Sequence, residues 1–157
     1  MNKGIKFSKG KVIIFINSGD TFTKGALKII YNVFKKNKKI DFVFGTVLRK
    51  YTKSKILKYS YNVNKLFYNF DFATSHSTGF FLKRKIYNQI GKFNTKYKCS
   101  ADYDIYFKTI IKKNLIGDST KINDLIGTVA SGGYSSKISF LNHLFEEIQI
   151  RNDNNQN

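Results

Sequence analysis

Proline is absent from this chain, cysteine occurs once, and acidic side chains are few, 10 Asp and Glu against 28 Lys and Arg. Without proline, and with apolar stretches alternating with polar turns, the composition is not that of a disordered segment except at the end, where Asn152 to Asn157 read as an unstructured tail. The single thiol, Cys99, has no partner for an internal disulfide, so nothing ties the chain to an oxidising compartment; the thiol is expected to be inert and half buried. Long apolar runs are missing as well. The longest strongly apolar one, Val12 to Ile16, falls far short of the ~20 residues that span a bilayer, and Met1 to Lys11 holds no signal-peptide stretch. A cytoplasmic protein without a transmembrane segment is the default expectation.

The acid deficit leaves a formal net charge of +18. Such a charge raises the possibility of a nucleic-acid partner, because clustered Lys and Arg release counterions from phosphate backbones. Its distribution argues against one. Lys is spread from Lys3 to Lys137 and Arg stands only at Arg49, Arg84 and Arg151, whereas side chains that read bases are usually Arg. The 157 residues fit one domain, placed at 1–151, which can bury roughly 70% of its unfolded surface.

What is present reads as α/β. Val12 to Ile16 has the pattern of a strand buried on both faces of a largely parallel sheet. Asn17-Ser18-Gly19-Asp20 is a turn, after which Thr21 or Thr23 can cap a helix carrying Ala26, Leu27, Ile29, Ile30, Val33 and Phe34 at helical spacing. Asp41 to Arg49 suits a second strand, Lys55 to Tyr61 a shorter one and Thr78 to Leu82 another. A helix from Lys83 to Ile90 stops at Gly91, and a further helix opened by Ser100 shows Tyr103, Tyr106, Phe107 and Ile110. Lys121 to Val129 is extended, Gly132-Gly133 breaks it, and Ser139 to Arg151 forms an amphipathic helix with the apolar stripe Phe140, Leu141, Leu144, Phe145 and Ile148.

Few residues can carry chemistry. Asp20 follows the carboxyl end of a strand, the edge of an α/β sheet where ligands bind. One carboxylate there suffices for Mg²⁺ or Mn²⁺, whose shell water and diphosphate oxygens complete; the plainer reading is a turn or capping Asp. Asp102 and Asp104 open a helix, where the dipole stabilises carboxylates; alternatively Asp102 is a general base toward an acceptor hydroxyl, with Asp104 pointing away from it. His76 precedes a strand and can face a pocket or be structural. His143 has no partner that sequence identifies.

In order, MNKGIKFSKGKVIIFINSGDTF, FVFGTV, SHSTGFFLKRKIYNQIGKFNTKYKCSADYDIYFK and GTVASGGYSS resemble family 2 glycosyltransferases, especially bacterial-type enzymes of polysaccharide assembly. The resemblance implies a GT-A fold, a mixed sheet flanked by helices, and inverting transfer of a sugar from a nucleotide-sugar donor to a glycan or other hydroxyl acceptor with Mn²⁺ or Mg²⁺. It places Asn17, Gly19 and Asp20 at the metal and diphosphate motif, with Asp20 the metal ligand, although the commoner pattern has carboxylates where Asn17 and Gly19 stand. It makes Asp102 the catalytic base. His76, Asp104, Gly132 and Gly133 are the substrate-contact candidates, the glycines lying in a loop near the donor or acceptor cleft. The resemblance also implies that the fold here is incomplete: the nucleotide-binding strands that family members carry first are not matched, and are expected from a missing upstream segment or a partner chain. A non-catalytic remnant that binds a glycan or a partner is the alternative.

Overall fold

The computed structural model of the chain describes residues 1–51, 54–59, 77–132 and 137–155. Its elements run α1 (Asn2–Phe7), β1 (Val12–Ile13), β2 (Thr21–Phe22), α2 (Ala26–Lys36), β3 (Phe42–Phe44), β4 (Thr46–Lys50) and β5 (Lys55–Lys58). After a 3-10 turn at Ser77–Gly79 come β6 (Phe80–Lys83), a second such turn, α3 (Tyr87–Ile90), α4 (Ala101–Phe107), β7 (Gly117–Ser119), β8 (Leu125–Val129) and α5 (Phe140–Asp153). Two four-stranded sheets result, in the orders β1-β6-β3-β7 and β2-β8-β4-β5. Among the described residues only β3 with β7 and β4 with β8 pair in parallel. The fold is α/β with mixed sheets flanked by helices.

The apolar stretch after Asp41 divides because Gly45 sits where the chain passes from one sheet to the other. A Cβ there would come within 2.7 Å of Ile126 Cγ1, and the Gly45 N–H donates to the Gly79 carbonyl at 2.7 Å. On either side of the first sheet the alternation of strand residues builds a separate core. Phe42, Phe44, Phe80 and Leu82 face α4, meeting Tyr103, Tyr106 and Phe107. Val43 and Phe81 face α2, meeting Ala26 and Ile30 together with Ile126.

Several local expectations are revised. Val12 to Ile16 is not a strand buried on both faces: β1 has two residues, pairs antiparallel with β6 at the sheet edge, and Ile16 is exposed. Neither Thr21 nor Thr23 caps α2. Thr21 pairs with Thr128 in the second sheet, and the Thr23 hydroxyl donates to the Leu125 and Ile126 carbonyls; Gly25, at φ +84°, precedes the helix instead. The last helix continues through Asp153, and Asn154 is buried, where polar composition suggests a tail from Asn152. Its orientation is the largest revision. Phe140 and Phe145 are 77% and 65% exposed, with Leu141 and Ile148 also outward, while the helix buries Ile150 and Arg151 and half-buries His143, Glu146 and Glu147.

Candidate active site

The turn Asn17–Asp20 is closed by the Asp20 N–H donating to the Asn17 carbonyl at 3.0 Å. Gly19 adopts φ +88°, the left-handed region in which a side chain is strained, and a Cβ on it would stand 3.2 Å from the Ala130 Cβ. Two segments grip this turn. From the 3-10 turn before β6, the Ser77 hydroxyl accepts from Asn17 Nδ2 at 2.8 Å and the Thr78 hydroxyl donates to Asp20 Oδ2. From the end of β8, the Ala130 N–H donates to Asp20 Oδ1 at 3.0 Å. Gly132, exposed at φ +90°, lies two residues beyond that contact. His76 and Gly133 lie outside the described residues.

Asp20 remains partly accessible. The bonds from Thr78 and Ala130 fix the plane of the carboxylate. Among the described residues no three His, Cys, Asp or Glu side chains cluster to hold a metal ion by themselves. Asp20 is the one carboxylate this turn offers, and a divalent cation there would need water and phosphate oxygens to complete its shell.

Asp102 is the second residue of α4 and half-buried. Burial pushes its carboxyl above the ordinary carboxylate range, a rise opposed by the N–H groups of Tyr103 and of Asp102 itself and by the nearby His143. The Tyr103 N–H reaches Oδ1 at 2.9 Å. One turn on, the ring of Tyr106 packs edge-on against Phe80, centroids 4.6 Å apart; burial, and after it Asp102, raise the Tyr106 phenol above its usual value. The short segment from Thr78 to Phe80 thus touches the Asp20 turn at one end and α4, which carries Asp102, at the other.

Asp104 is placed otherwise. Its side chain is 1% exposed and paired with Lys108 Nζ at 2.6 Å, and it accepts from Asn154 Nδ2 at 3.1 Å. With both oxygens engaged inside the protein, it has no surface to offer a substrate, and its position between α4 and α5 is that of a structural ion pair.

Two residues of α5 act on Asp102 electrostatically, His143, whose partner the sequence does not identify, and Glu147, which it does not single out. His143, Glu147 and Arg151 recur every fourth residue and so share a face. Burial first, and then Asp102, push the Glu147 carboxyl up to about 7 against the opposing charges of His143 and Arg151. The four-residue spacing was visible in the sequence, but next to a stronger apolar stripe.

The family model for glycosyl transferase family 2 matches residues 1–113. The chain belongs to glycosyl transferase family 2. Among curated proteins none matches it. The family 2 match covers both aspartates and the segment between them, while β7, β8, the Ala130–Gly132 loop and α5 lie beyond it. Among the described residues no helix is long and apolar enough to cross a membrane.

Proposed function

We propose that this family 2 domain transfers a sugar, with inversion, from a nucleotide-sugar donor to an acceptor hydroxyl, and that Asp102 is its base. The observation that carries this reading is the environment of Asp102: burial raises its carboxyl, and a carboxylate raised by desolvation is a stronger base than a solvated one. As the acceptor oxygen attacks C1, its proton passes to Asp102, on the oxygen not engaged by the Tyr103 N–H. The C1–O bond to the diphosphate breaks on the opposite side, and the bond electrons leave with the diphosphate.

Asp20 faces that leaving group in this reading. A divalent cation, when bound, would be held by Asp20 and would neutralise diphosphate charge. Thr78 and Ala130 keep the carboxylate plane fixed, so the ligand needs no reorganisation on binding. Strands that read the nucleotide base would pair with the outer edge of β1, beside which Val12, Ile14, Leu27 and Tyr31 line a groove rimmed by Lys11 and Lys35; an upstream segment or a partner chain would supply them.

The single carboxylate in the Asn17–Asp20 turn is the feature that favours the second reading, a glycan- or partner-binding remnant without metal chemistry. Calorimetric titration with a nucleoside diphosphate and Mn²⁺ separates the two. The enzyme reading expects binding that requires Mn²⁺ and is largely lost in Asp20→Ala. Binding that ignores both the cation and the substitution would establish the remnant.

A further inference from the structure

Helix α4 carries the proposed base, but its own sequence does little to fix its start. Ser100 precedes the helix without a side-chain capping bond, although a serine there is suited to make one. The carboxylate of Glu146, on α5, is bound there instead. Glu146 accepts from the backbone N–H groups of Lys98 at 2.8 Å, Cys99 at 3.0 Å and Ser100 at 2.9 Å, and from the Cys99 thiol at 3.1 Å. Three amides that would otherwise end in solvent at the entry to a helix are thus gathered on one charged acceptor, and bonds of this kind are roughly twice as strong as neutral ones.

Two further contacts from the same helix follow in step. Arg151 Nε donates to the Tyr103 hydroxyl at 2.9 Å, and Asn154 Nδ2 donates to Asp104 Oδ1 at 3.1 Å. Residues 100, 103 and 104 are therefore all held by α5, and Asp102 lies between them. None of these α5 groups falls within the residues matched to the family.

We infer that Glu146 is a positioning residue for Asp102: by clamping the Lys98–Ser100 turn it sets where, and how deeply buried, the carboxylate stands. Its role in transfer rests on Asp102 being the base. The clamp itself is a claim about this chain that holds or fails without any turnover.

Two substitutions in the full chain separate positioning from charge. Glu146→Asp keeps the charge but withdraws it from the amides by one methylene. Glu146→Gln removes the charge but keeps a carbonyl oxygen in reach of the Cys99 and Ser100 N–H groups. Cys99 is the only cysteine, and burial followed by its bond to Glu146 pushes its thiol up to about 11, so alkylation by iodoacetamide reports the clamp directly. Glu146→Asp should speed alkylation at pH 8 by about tenfold, since the thiolate is the reactive form; Glu146→Gln also removes the charge that raises the thiol, so the clamp is read from Glu146→Asp. Carbon-13 NMR titration of the Asp102 carboxyl then reads its position: Glu146→Asp should return the midpoint toward the ordinary carboxylate value by at least about half a unit as the group becomes solvated, again with a smaller change for Glu146→Gln. Unchanged alkylation in Glu146→Asp would overturn the clamp. An Asp102 midpoint that stays put in Glu146→Asp, or that moves as far or farther in Glu146→Gln, would overturn the positioning role. Absence of sugar transfer by the unaltered chain would count against the proposed function alone.

Discussion

Helices α2 and α5 are both amphipathic, yet they face the protein with opposite sides. Helix α2 turns Ala26 and Ile30 inward against Val43, Phe81 and Ile126, the arrangement that its spacing of apolar residues foretells. Helix α5 turns Glu146, Glu147 and Arg151 inward and leaves Phe140, Leu141 and Phe145 to solvent. The difference follows from what each helix meets. α2 covers a sheet face of apolar side chains, where burial of hydrocarbon is the dominant gain. α5 meets the amino-terminal turn of α4, a surface of unsatisfied N–H groups, a phenol and a carboxylate, and there a polar face makes bonds that an apolar face would leave unmade. One helix is held by packing, while the other adds directed polar contacts to the burial of Ile150.

That contrast can be broken by substitution. Ile30→Ala, at a site 4% exposed, should cost about 2–5 kcal/mol in denaturant unfolding, the range for truncating a packed aliphatic side chain. Arg151→Leu removes the buried donor to the Tyr103 hydroxyl and should cost about 1–3 kcal/mol; a neutral or stabilising result would mean that α5 is held by packing after all. The two glutamates sharpen the comparison through pH. Glu147 is raised from 4.5 to about 7, so the folded state holds its proton more tightly than the unfolded chain does; its contribution to stability is present below about pH 4.5 and is lost as pH rises through about 7. Glu146 is lowered from 4.5, by its bonds to the 98–100 turn against the cost of burial, so its contribution is present above that value and lost as pH falls. Thermal melts across pH should show Glu147→Gln flattening the decline toward neutrality and Glu146→Gln flattening the acid limb. The smallest effect belongs to Phe145→Ala, within about 0.5 kcal/mol, despite removing a larger side chain than Ile30→Ala does.

The same contrast shows what the sequence made legible. α2 and α5 were both readable as helices from periodicity, and the Asn17–Asp20 turn from its residue types, because these are local properties. Which side of α5 faces inward is not local: it depends on the unmet amides at Lys98 to Ser100, which only the tertiary fold brings beside Glu146. The expected strand at Val12 to Ile16 shortened for a related reason. An apolar run reads alike in the middle of a sheet and at its edge, and here β1 has a neighbour on one side only among the described residues. α1 gave no sequence signal; Asn2 docks it by exchanging two hydrogen bonds with the backbone of Phe93. β7 begins at a glycine, a poor strand former, because a Cβ at Gly117 would fall 2.1 Å from the Phe42 ring. For the proposed site, Asp20 and Asp102 come from the motif resemblance alone, whereas Thr78, Ala130 and Glu146, which hold them or their turns, are contacts across many tens of residues.

The central claim is that Asp102 takes the acceptor proton. It is tested most directly by sugar-nucleotide turnover with Mn²⁺, comparing the unaltered chain with Asp102→Asn. The account predicts a fall in kcat of about 10²–10⁴ with diphosphate affinity unchanged. Robust and equal turnover by the two proteins would contradict it.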